Sequence, residues 1–399
     1  MITSDFLVIG GGIVGLNIAR QLKARYRDTK VIILEKENSL GMHASGRNSG
    51  VLHAGFYYTA DSLKAQFTRD GNRLLTEYCL EKSIPLNQCG KLVVASNEAE
   101  DVMLDELLKR GKNNGVPLNE IDIYEAKKIE PNVKTFSRAI FSPSTSTADP
   151  ISLINNVTDD ALSEGIQIHY DQSYQSGTNN CIKTKNQKYS SGFVINCAGL
   201  YADRIAKQFG FSQNYAILPF KGLYLKSDEP VGTYQTNIYP VPDLDNPFLG
   251  VHFTVQVDGK IKIGPTAIPA FWREQYDGLN NFQFREFIDI SARSLSLLAY
   301  SDFNFKKLAM SEFLKYSKQR MVKLASKLVE NINQNAYKKW AKPGIRAQLI
   351  DLKHRKLEMD FVLEGDENSM HVLNAVSPGW TCSIPFSSYI VDRIIGETN

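Results

Sequence analysis

Residues Phe6-Leu-Val-Ile-Gly10-Gly-Gly-Ile-Val-Gly15 decide the fold of this chain. The four apolar residues at 6–9 do not alternate with polar ones, which is typical of a strand buried on both faces. Apolar residues at helical spacing follow from 13 to 22, and a second apolar run at 31–34 ends in Glu35. This order predicts the opening β-α-β unit of a doubly wound nucleotide-binding fold.

The glycines form a G-x-G-x-x-G signature in the context that such a signature needs. Gly10 permits a tight turn, Gly12 lets the backbone approach a pyrophosphate, and Gly15 allows close packing of helix on strand. The helix N-terminus offers free N–H groups and a partial positive charge. Glu35 is placed to accept hydrogen bonds from the ribose hydroxyls and to repel a 2′-phosphate. The signature therefore disfavours an NADP-type ligand and leaves FAD and NAD open.

Composition excludes several classes of protein. The 399 residues are 43% hydrophobic and 22% charged, with 46 Lys+Arg against 43 Asp+Glu. The hydrophobic content is too high for a disordered chain. The net charge is too close to zero to suggest a nucleic-acid partner. The length is typical of two domains.

The cysteines and apolar runs bear on location. The five cysteines are scattered, and none forms a C-x-x-C pair, so we expect neither a disulfide framework nor a metal site. This pattern fits a reducing, cytoplasmic location. No signal peptide is visible, and no apolar run reaches the roughly 18 residues of a spanning helix.

The pattern along the chain predicts a discontinuous architecture. Residues 98–130 and 282–340 read as helical, and a helix is expected near 159–165. Segments 215–226, 247–257 and 260–265 have β character, and α/β character returns at 160–200 and 370–395. We therefore expect a Rossmann-like domain formed by 1–80, 145–215 and 345–399. A β-rich (α+β) substrate domain, residues 81–144 and 216–344, is inserted into it.

Several further blocks carry a family resemblance. They span most of the chain in order: Gly41-Met-His43-Ala-Ser-Gly46-Arg-Asn-Ser-Gly50-Val-Leu-His53-Ala-Gly55-Phe-Tyr-Tyr58, Cys89-Gly-Lys91-Leu, Asn196-Cys-Ala-Gly199, Pro219-Phe-Lys-Gly222, Ile238-Tyr-Pro-Val-Pro242, Pro247-Phe-Leu-Gly-Val-His252-Phe-Thr254, Gly264-Pro-Thr266-Ala, Gly344-Ile-Arg346-Ala-Gln348 and Asn374-Ala-Val-Ser377-Pro378. Together they resemble the L-2-hydroxyglutarate oxidases/dehydrogenases, flavoenzymes of the D-amino-acid-oxidase-like group.

The resemblance implies FAD as the cofactor and oxidation of L-2-hydroxyglutarate to 2-oxoglutarate. A hydride would pass to flavin N5, and the electrons would pass on to oxygen or a quinone. Three further segments are then expected to contact the flavin dinucleotide: Arg47, Asn48 and Ser49; Ala198 and Gly199; and the turn Ser377, Pro378 and Gly379 before a C-terminal helix.

Candidate catalytic residues follow from the chemistry of a 2-hydroxy acid. A neutral imidazole suits removal of the hydroxyl proton, with His53 as the first candidate and His252 as the second. Arg346 is the candidate for bidentate binding of the carboxylate. A second cation or hydroxyl group for the other carboxylate is expected from this set: Tyr57, Lys91, Lys221, Tyr239 and Thr254. In some related flavoenzymes a histidine in the region of His43 holds the flavin covalently, which we do not expect here.

Some positions depart from the family pattern. The family commonly carries small residues after Ser-Pro and again after Ser-Ile, where this chain has Gly379-Trp380 and Pro385-Phe386. Lys221 stands where arginine is usual, so we expect a reshaped site rim. An amino-acid, sarcosine or glycerol 3-phosphate oxidase or dehydrogenase of the same fold remains an alternative, as does a flavin-binding protein without turnover. The Lys-rich segment 301–330 is expected either to contact an anionic membrane on its inner face or to be a solvated helix face.

Overall fold

The computed structural model describes residues 1–178, 180–244, 249–300, 310, 312 and 314–398. Strands and helices are numbered along the chain. The first sheet contains β1 (Ile2–Ile9), β2 (Val31–Leu34), β9 (Gln167–His169), β10 (Tyr174–Thr178), β11 (Cys181–Thr184), β12 (Lys188–Asn196), β22 (Val362–Gly365) and β23 (Ser369–Asn374). Strands β23, β12, β1, β2 and β9 are neighbours in this order and run parallel.

Helices cover both faces of this parallel sheet, which explains why its strands are continuously apolar. Val8 and Ile33 pack into one cluster with residues of α1 (Ile13–Arg25), α5 (Pro150–Ser163) and α9 (Ser383–Thr398). Leu7 and Ile32 point to the other side and pack with Ile205 of α6 (Ala202–Gln208). The predicted β-α-β opening is confirmed.

The second sheet also has eight strands. Its order is β19 (Lys339–Trp340), β14 (Leu225–Lys226), β17 (Ile261–Gly264), β16 (His252–Val255), β15 (Asn237–Pro240), β5 (Lys91–Val94), β7 (Arg138–Ser142) and β6 (Asn119–Asp122). Leu92, Ile238 and Phe253 pack into an apolar cluster on one face. Because side chains alternate along a strand, the residues between them lie on the opposite face, which carries Lys91, Tyr239 and His252.

Two smaller sheets and the remaining helices complete the described chain. One sheet has the order β18 (Ile268–Pro269), β13 (Tyr215–Gly222), β20 (Gly344–Asp351), β21 (Lys356–Leu357), and the other β3 (Val51–Leu52), β8 (Ser146–Ala148), β4 (Leu86–Asn87). The other helices are α2 (Leu63–Glu81), α3 (Glu98–Asn113), α4 (Ile123–Ile129), α7 (Phe284–Tyr300) and α8 (Lys318–Ala325), with 3-10 turns at Gly199–Tyr201, Leu314–Tyr316 and Gln334–Ala336. Among the described residues, no helix combines the length and apolarity needed to cross a bilayer.

Several element boundaries differ from the predicted ones. The segment 98–130 is interrupted by β6, whose charged sequence hid its pairing with β7. The helix predicted near 159–165 begins at Pro150 behind the Asp149 cap and ends before Gly165. The C-terminal helix, predicted over Tyr389 to Ile395, starts earlier, at Ser383.

Two predictions were not settled by these elements. Residues 301–309, 311 and 313 of the Lys-rich segment lie outside the described residues. Strand β20 pairs along its whole length with β13, so the predicted boundary at 345 falls at the start of a shared sheet. The domain division stays a prediction.

Candidate active site

A cavity of about 810 Å³ runs from the carboxyl ends of the parallel strands to the second sheet. A crevice beyond the carboxyl ends of such strands is the usual ligand site of doubly wound folds. Every predicted cofactor residue lines it: Gly10, Gly12, Gly15, Glu35, Arg47, Asn48, Ser49, Ala198, Gly199, Ser377, Pro378 and Gly379. The two candidate bases, Arg346 and Tyr239 line the same cavity.

The glycine loop leaves no room for side chains at its critical points. A Cβ on Gly10 would lie 2.5 Å from the carbonyl oxygen of Cys197, and the φ of Gly10 is +110°. A Cβ on Gly15 would lie 2.1 Å from the carbonyl oxygen of Gly10. Helix α1 begins after Gly12 with no acidic residue in its first turn, so its N-terminal N–H groups suit an anion.

Glu35 is held in place at the end of β2. Its Oε2 accepts a hydrogen bond from the Gly11 amide at 3.1 Å, and its Oε1 accepts one from the Glu37 amide at 3.0 Å. Each carboxylate oxygen has capacity for a further donor. This arrangement suits recognition of a diol in the cavity.

The loop 44–50 is stabilised mainly by its own polar side chains. Asn48 donates from Nδ2 to the carbonyl oxygen of Ser45 at 2.8 Å and accepts from the Gly50 amide at 2.8 Å. Ser45 Oγ accepts from the first amide of α1, on Ile13, at 3.0 Å. Arg47 donates to the carbonyl oxygen of Met42 at 2.6 Å. Asn48 and Arg47 therefore shape the loop, whose backbone and remaining donors line the cavity.

The C-terminal turn brings a second helix start to the cavity. Thr381 Oγ1 accepts from the His53 amide and donates to the carbonyl oxygen of Val51, both at 3.3 Å. A Cβ on Gly379 would lie 2.1 Å from the carbonyl oxygen of Ala375, so this position requires glycine. The Trp380 indole N–H lines the cavity, is buried and has no hydrogen-bond partner among the described residues.

The expectation that Pro385-Phe386 reshapes the rim is wrong. Phe386 is fully buried and stacks on Phe361 with ring centroids 4.2 Å apart. Neither residue 385 nor 386 lines the cavity. Of the two departures, only the one at 379–380 reaches the site, because the side chain at 386 points into the core beneath α9.

His252 is the better oriented of the two histidines. It is buried, and its Nδ1 lies 2.8 Å from the carbonyl oxygen of Gly250. Since a carbonyl can only accept, Nδ1 carries the proton and Nε2 keeps its lone pair. Burial, with the charges of Lys91 and Arg346, holds the pKa of His252 well below its usual value.

His53 is half-buried on the loop after β3 and lines the same cavity. Burial and the charge of Lys91 lower the pKa of His53 to about 3. The charge of His53 in turn disfavours protonation of His252, so the two rings lie within electrostatic range of each other. Both imidazoles are therefore neutral at pH 7.

Arg346 lies on β20 opposite Phe220 and lines the cavity. Its Nη1 donates to the carbonyl oxygen of Thr266 at 3.1 Å. A Cβ on Gly222 would lie 3.4 Å from the same nitrogen, so a glycine there leaves the guanidinium room. Burial lowers the pKa of Arg346, and the group stays cationic.

Comparison with known proteins decides the family. A family model described as FAD dependent oxidoreductase (DAO) matches residues 5–393. The chain belongs to the DAO family of FAD-dependent oxidoreductases. Membership confirms the expected fold class, the oxidoreductase activity and FAD as the cofactor.

Relatives at higher identity confirm the resemblance. The mitochondrial L-2-hydroxyglutarate dehydrogenase of Nematostella vectensis is 36% identical over 98% of this chain and 90% of that protein. The L-2-hydroxyglutarate dehydrogenase of Escherichia coli (strain K12) is 34% identical over 98% of this chain and 93% of that protein. A dithionite-reduced L-alpha-glycerophosphate oxidase from Mycoplasma pneumoniae with FAD bound has the same fold, with a TM-score of 0.78, 22% identity and coverage of 100% and 95%.

The residues of this flavoenzyme fit FAD. The glycine cradle would hold the pyrophosphate at the start of α1, and Glu35 would bind the ribose. The unpartnered indole N–H of Trp380 is a buried donor for a cofactor acceptor. Buried donors without partners are rare in proteins, so a bound group is the simplest partner for this one.

Four of the predicted substrate residues do not line the cavity of this flavoenzyme. They are Tyr57, Lys91, Lys221 and Thr254, and all four are buried. Lys91 and Thr254 lie on the same sheet face as His252, behind the cavity wall. Lys221 lies on β13, where its backbone pairs with β18 and β20.

The structure also adds residues that the sequence did not single out. Tyr224 lines the cavity between Arg346 and the loop 44–50, and Pro265, Leu249 and Thr381 complete this end. Tyr224 follows the Pro219–Gly222 motif by two residues, and this proximity is the sequence feature that could have identified it as a site residue.

His43 belongs to an ion-pair network at the other end of the cavity. Its Nε2 lies 2.8 Å from Glu37 Oε1, and its Nδ1 lies 2.8 Å from the Tyr276 hydroxyl. The ligand atoms of Glu37, His43 and Glu274 lie within 4.8 Å of one another. Lys36 donates to both carboxylates, so this cluster already contains its cation.

Proposed function

We propose that this protein catalyses the FAD-dependent oxidation of L-2-hydroxyglutarate to 2-oxoglutarate. The observation that carries the proposal is that one cavity joins the dinucleotide cradle to Arg346 and two neutral histidines. The near full-length similarity to L-2-hydroxyglutarate dehydrogenases supports the choice of substrate.

Arg346 would bind the carboxylate next to the reacting carbon. A guanidinium can form two parallel hydrogen bonds to a carboxylate, and one of its nitrogens is already anchored on Thr266. That hydrogen bond restricts the orientation of the guanidinium. The substrate hydroxyl would then be held at a defined distance from the histidines.

His252 rather than His53 would accept the hydroxyl proton. The Gly250 carbonyl sets the tautomer of His252, and the Tyr239 ring stacks on its imidazole, so Nε2 is the available base. His53 has an anchored backbone, but no side-chain hydrogen bond orients its ring among the described residues. We propose that His53, whose imidazole is uncharged at pH 7, contacts the substrate.

Bound FAD supplies the two-electron acceptor for the hydrogen on the substrate's Cα. Tyr224, Tyr239 and Leu249 give this end of the cavity an aromatic and apolar wall that limits access of water. Oxygen or a quinone is proposed as the final electron acceptor.

We further propose a peripheral contact with an anionic membrane. In the described part of the chain, α7 exposes Phe284, Phe287, Ile288 and Leu295 along one side. Exposed basic residues follow at Lys318 and Arg320. Co-sedimentation with phosphatidylglycerol vesicles, reduced in a Phe284→Ser/Ile288→Ser variant, supports this contact, and equal pelleting of both proteins contradicts it.

The function is tested by anaerobic reduction of the purified yellow holoenzyme. L-2-Hydroxyglutarate should bleach the flavin absorbance, whereas sarcosine, D-amino acids and glycerol 3-phosphate should not. Bleaching by one of those compounds instead would assign a different substrate. An FAD-loaded protein that no substrate bleaches would be a binding protein without turnover.

A further inference from the structure

Lys91 is a fully buried lysine enclosed by aromatic rings. Its Nζ lies 4.4 Å from the ring centroid of Phe56, 4.5 Å from that of Tyr57 and 4.9 Å from that of Tyr239. The side chain has no exposed surface, and Nζ has no hydrogen-bond partner among the described residues. Ring faces attract a cation, but they replace only part of its lost hydration.

No anion of the described chain compensates this lysine. The titratable groups around it are Tyr57 and His53 after β3, Tyr239 on β15 and His252 on β16. None of these is negative at neutral pH. Burial lowers the pKa of Lys91 to about 7, and no carboxylate raises it. The free enzyme therefore holds a lysine divided between its charged and neutral forms near pH 7.

Lys91 lies one aromatic ring behind the substrate end of the cavity. The Tyr239 ring that faces Lys91 also stacks on His252, and both Tyr239 and His252 line the cavity. A substrate with two carboxylates would bring negative charge into the cavity that this Tyr239–His252 stack lines. Nearby negative charge favours the protonated form of an amine, especially where water is excluded.

We propose that Lys91 takes up a proton from solvent when the dicarboxylate binds and serves as the electrostatic partner of the bound dianion. Lys91 is a positioning residue in this role, because it acts through the Tyr239 ring and does not touch the reacting atoms. The inference rests on the proposed function, since it requires a dianionic ligand in this cavity. Its charge also disfavours protonation of His252 and His53 while the substrate is bound, which keeps the base available.

Calorimetry of the oxidised holoenzyme with 2-oxoglutarate tests the coupling. Titrations in buffers of different ionisation enthalpy give the number of protons taken up on binding. At pH 8 we expect uptake of about 0.5–0.9 proton per site, because the free amine is mostly neutral there. At pH 6 we expect almost none, because Lys91 is already charged.

Two substitutions at Lys91 should change the affinity for 2-oxoglutarate in different ways. Lys91→Met should lose the uptake at pH 8 and bind 2-oxoglutarate more weakly. Lys91→Arg stays charged, so it should also lose the uptake but keep its affinity constant between pH 7 and 9. Retained uptake in either folded variant overturns the proposal.

Two other buried lysines provide matched controls. Lys64 lies beside the rings of Tyr58 and Phe361, but it has Asp360 as a neighbouring anion, so Lys64→Met should keep the uptake. Burial lowers the pKa of Lys262 to about 8, and its Nζ donates to the Ser49 carbonyl oxygen. If proton uptake disappears in Lys262→Met but persists in Lys91→Met, then Lys262 takes up the proton and the proposal is wrong.

The flavin-bleaching assay distinguishes failure of the proposed function from failure of the Lys91 proposal alone. An enzyme that L-2-hydroxyglutarate bleaches, but that takes up no proton with 2-oxoglutarate, retains the proposed function and lacks the coupling. An enzyme that L-2-hydroxyglutarate does not bleach lacks the proposed function itself.

Discussion

The ring of Tyr239 stacks on the imidazole of His252, with centroids 3.7 Å apart and planes inclined by 14°. Strands β15 and β16 are antiparallel neighbours, so this contact is a cross-strand pair on the cavity face of the second sheet. Together with the Gly250 carbonyl, the stack restricts both the tilt and the tautomer of the proposed base.

The first prediction concerns that stack. Tyr239→Leu should lower kcat by about tenfold, because a stacked aromatic pair is worth roughly a kilocalorie per mole in orientation. Tyr239→Phe keeps the ring and should stay within about threefold of the parent enzyme. Steady-state kinetics on both variants checks this. Equal losses of kcat in the two variants would mean that the Tyr239 hydroxyl, and not the ring, is responsible.

The second prediction separates the two histidines. His252→Asn should lower kcat/KM by about 10²–10⁴-fold, the range for loss of a general base. His53→Asn should cost less and act mainly on KM. Stopped-flow flavin reduction measures both steps, and the reverse ranking would assign the base to His53.

The third prediction is the pH dependence of kcat/KM. The base must be unprotonated in the free enzyme, so activity falls as the pH drops through its pKa. Burial and neighbouring cations lower the pKa of His252, which moves this acid limb below pH 6.5. No acid limb is expected above pH 6.5, and an acid limb above pH 7 would exclude a buried imidazole as the base.

The fourth prediction concerns Arg346. Arg346→Lys keeps the charge but loses the bidentate geometry, so kcat/KM should fall by about 10–100-fold, mostly through KM. Arg346→Gln should fall further. Unchanged KM in both variants, measured with folded and FAD-loaded protein, would remove Arg346 from the substrate site.

The nucleotide-binding half could be predicted from short local patterns. Residues 6–15 contain a buried strand, three spaced glycines and a helix start, and each is a local property of the chain. Glu35 was likewise found because its distance from Gly15 along the chain reflects one helix and one strand. The glycine cradle and the parallel neighbours of β1 agree with this prediction.

The substrate half was predicted less completely, because its site forms across sheets. The motifs identified Lys91, Tyr57 and Thr254 as polar residues near the chemistry, but only the folded structure shows that all three are buried outside the cavity lining. The role of Phe386 also depended on packing, since its contact with Phe361 joins distant parts of the chain. Patterns in the sequence indicate residue types, whereas depth relative to a cavity requires tertiary structure.

The fifth prediction tests the cradle with two helical glycines. A Cβ at Gly15 would lie 2.1 Å from the Gly10 carbonyl oxygen, whereas one at Gly396 in α9 would meet nothing within 4 Å. Gly15→Ala should therefore lower the melting temperature and the bound FAD per chain. Gly396→Ala should leave both near the parent values, because alanine favours a helix by up to about 1 kcal/mol. Full FAD occupancy in Gly15→Ala would contradict the steric account.

The most direct test of the central claim is a single anaerobic turnover with one equivalent of L-2-hydroxyglutarate per FAD. The account predicts loss of the oxidised flavin absorbance together with one equivalent of 2-oxoglutarate, and a strong loss of rate in both His252→Asn and Arg346→Gln. Bleaching without 2-oxoglutarate, or turnover that is unaffected by both substitutions, would contradict it.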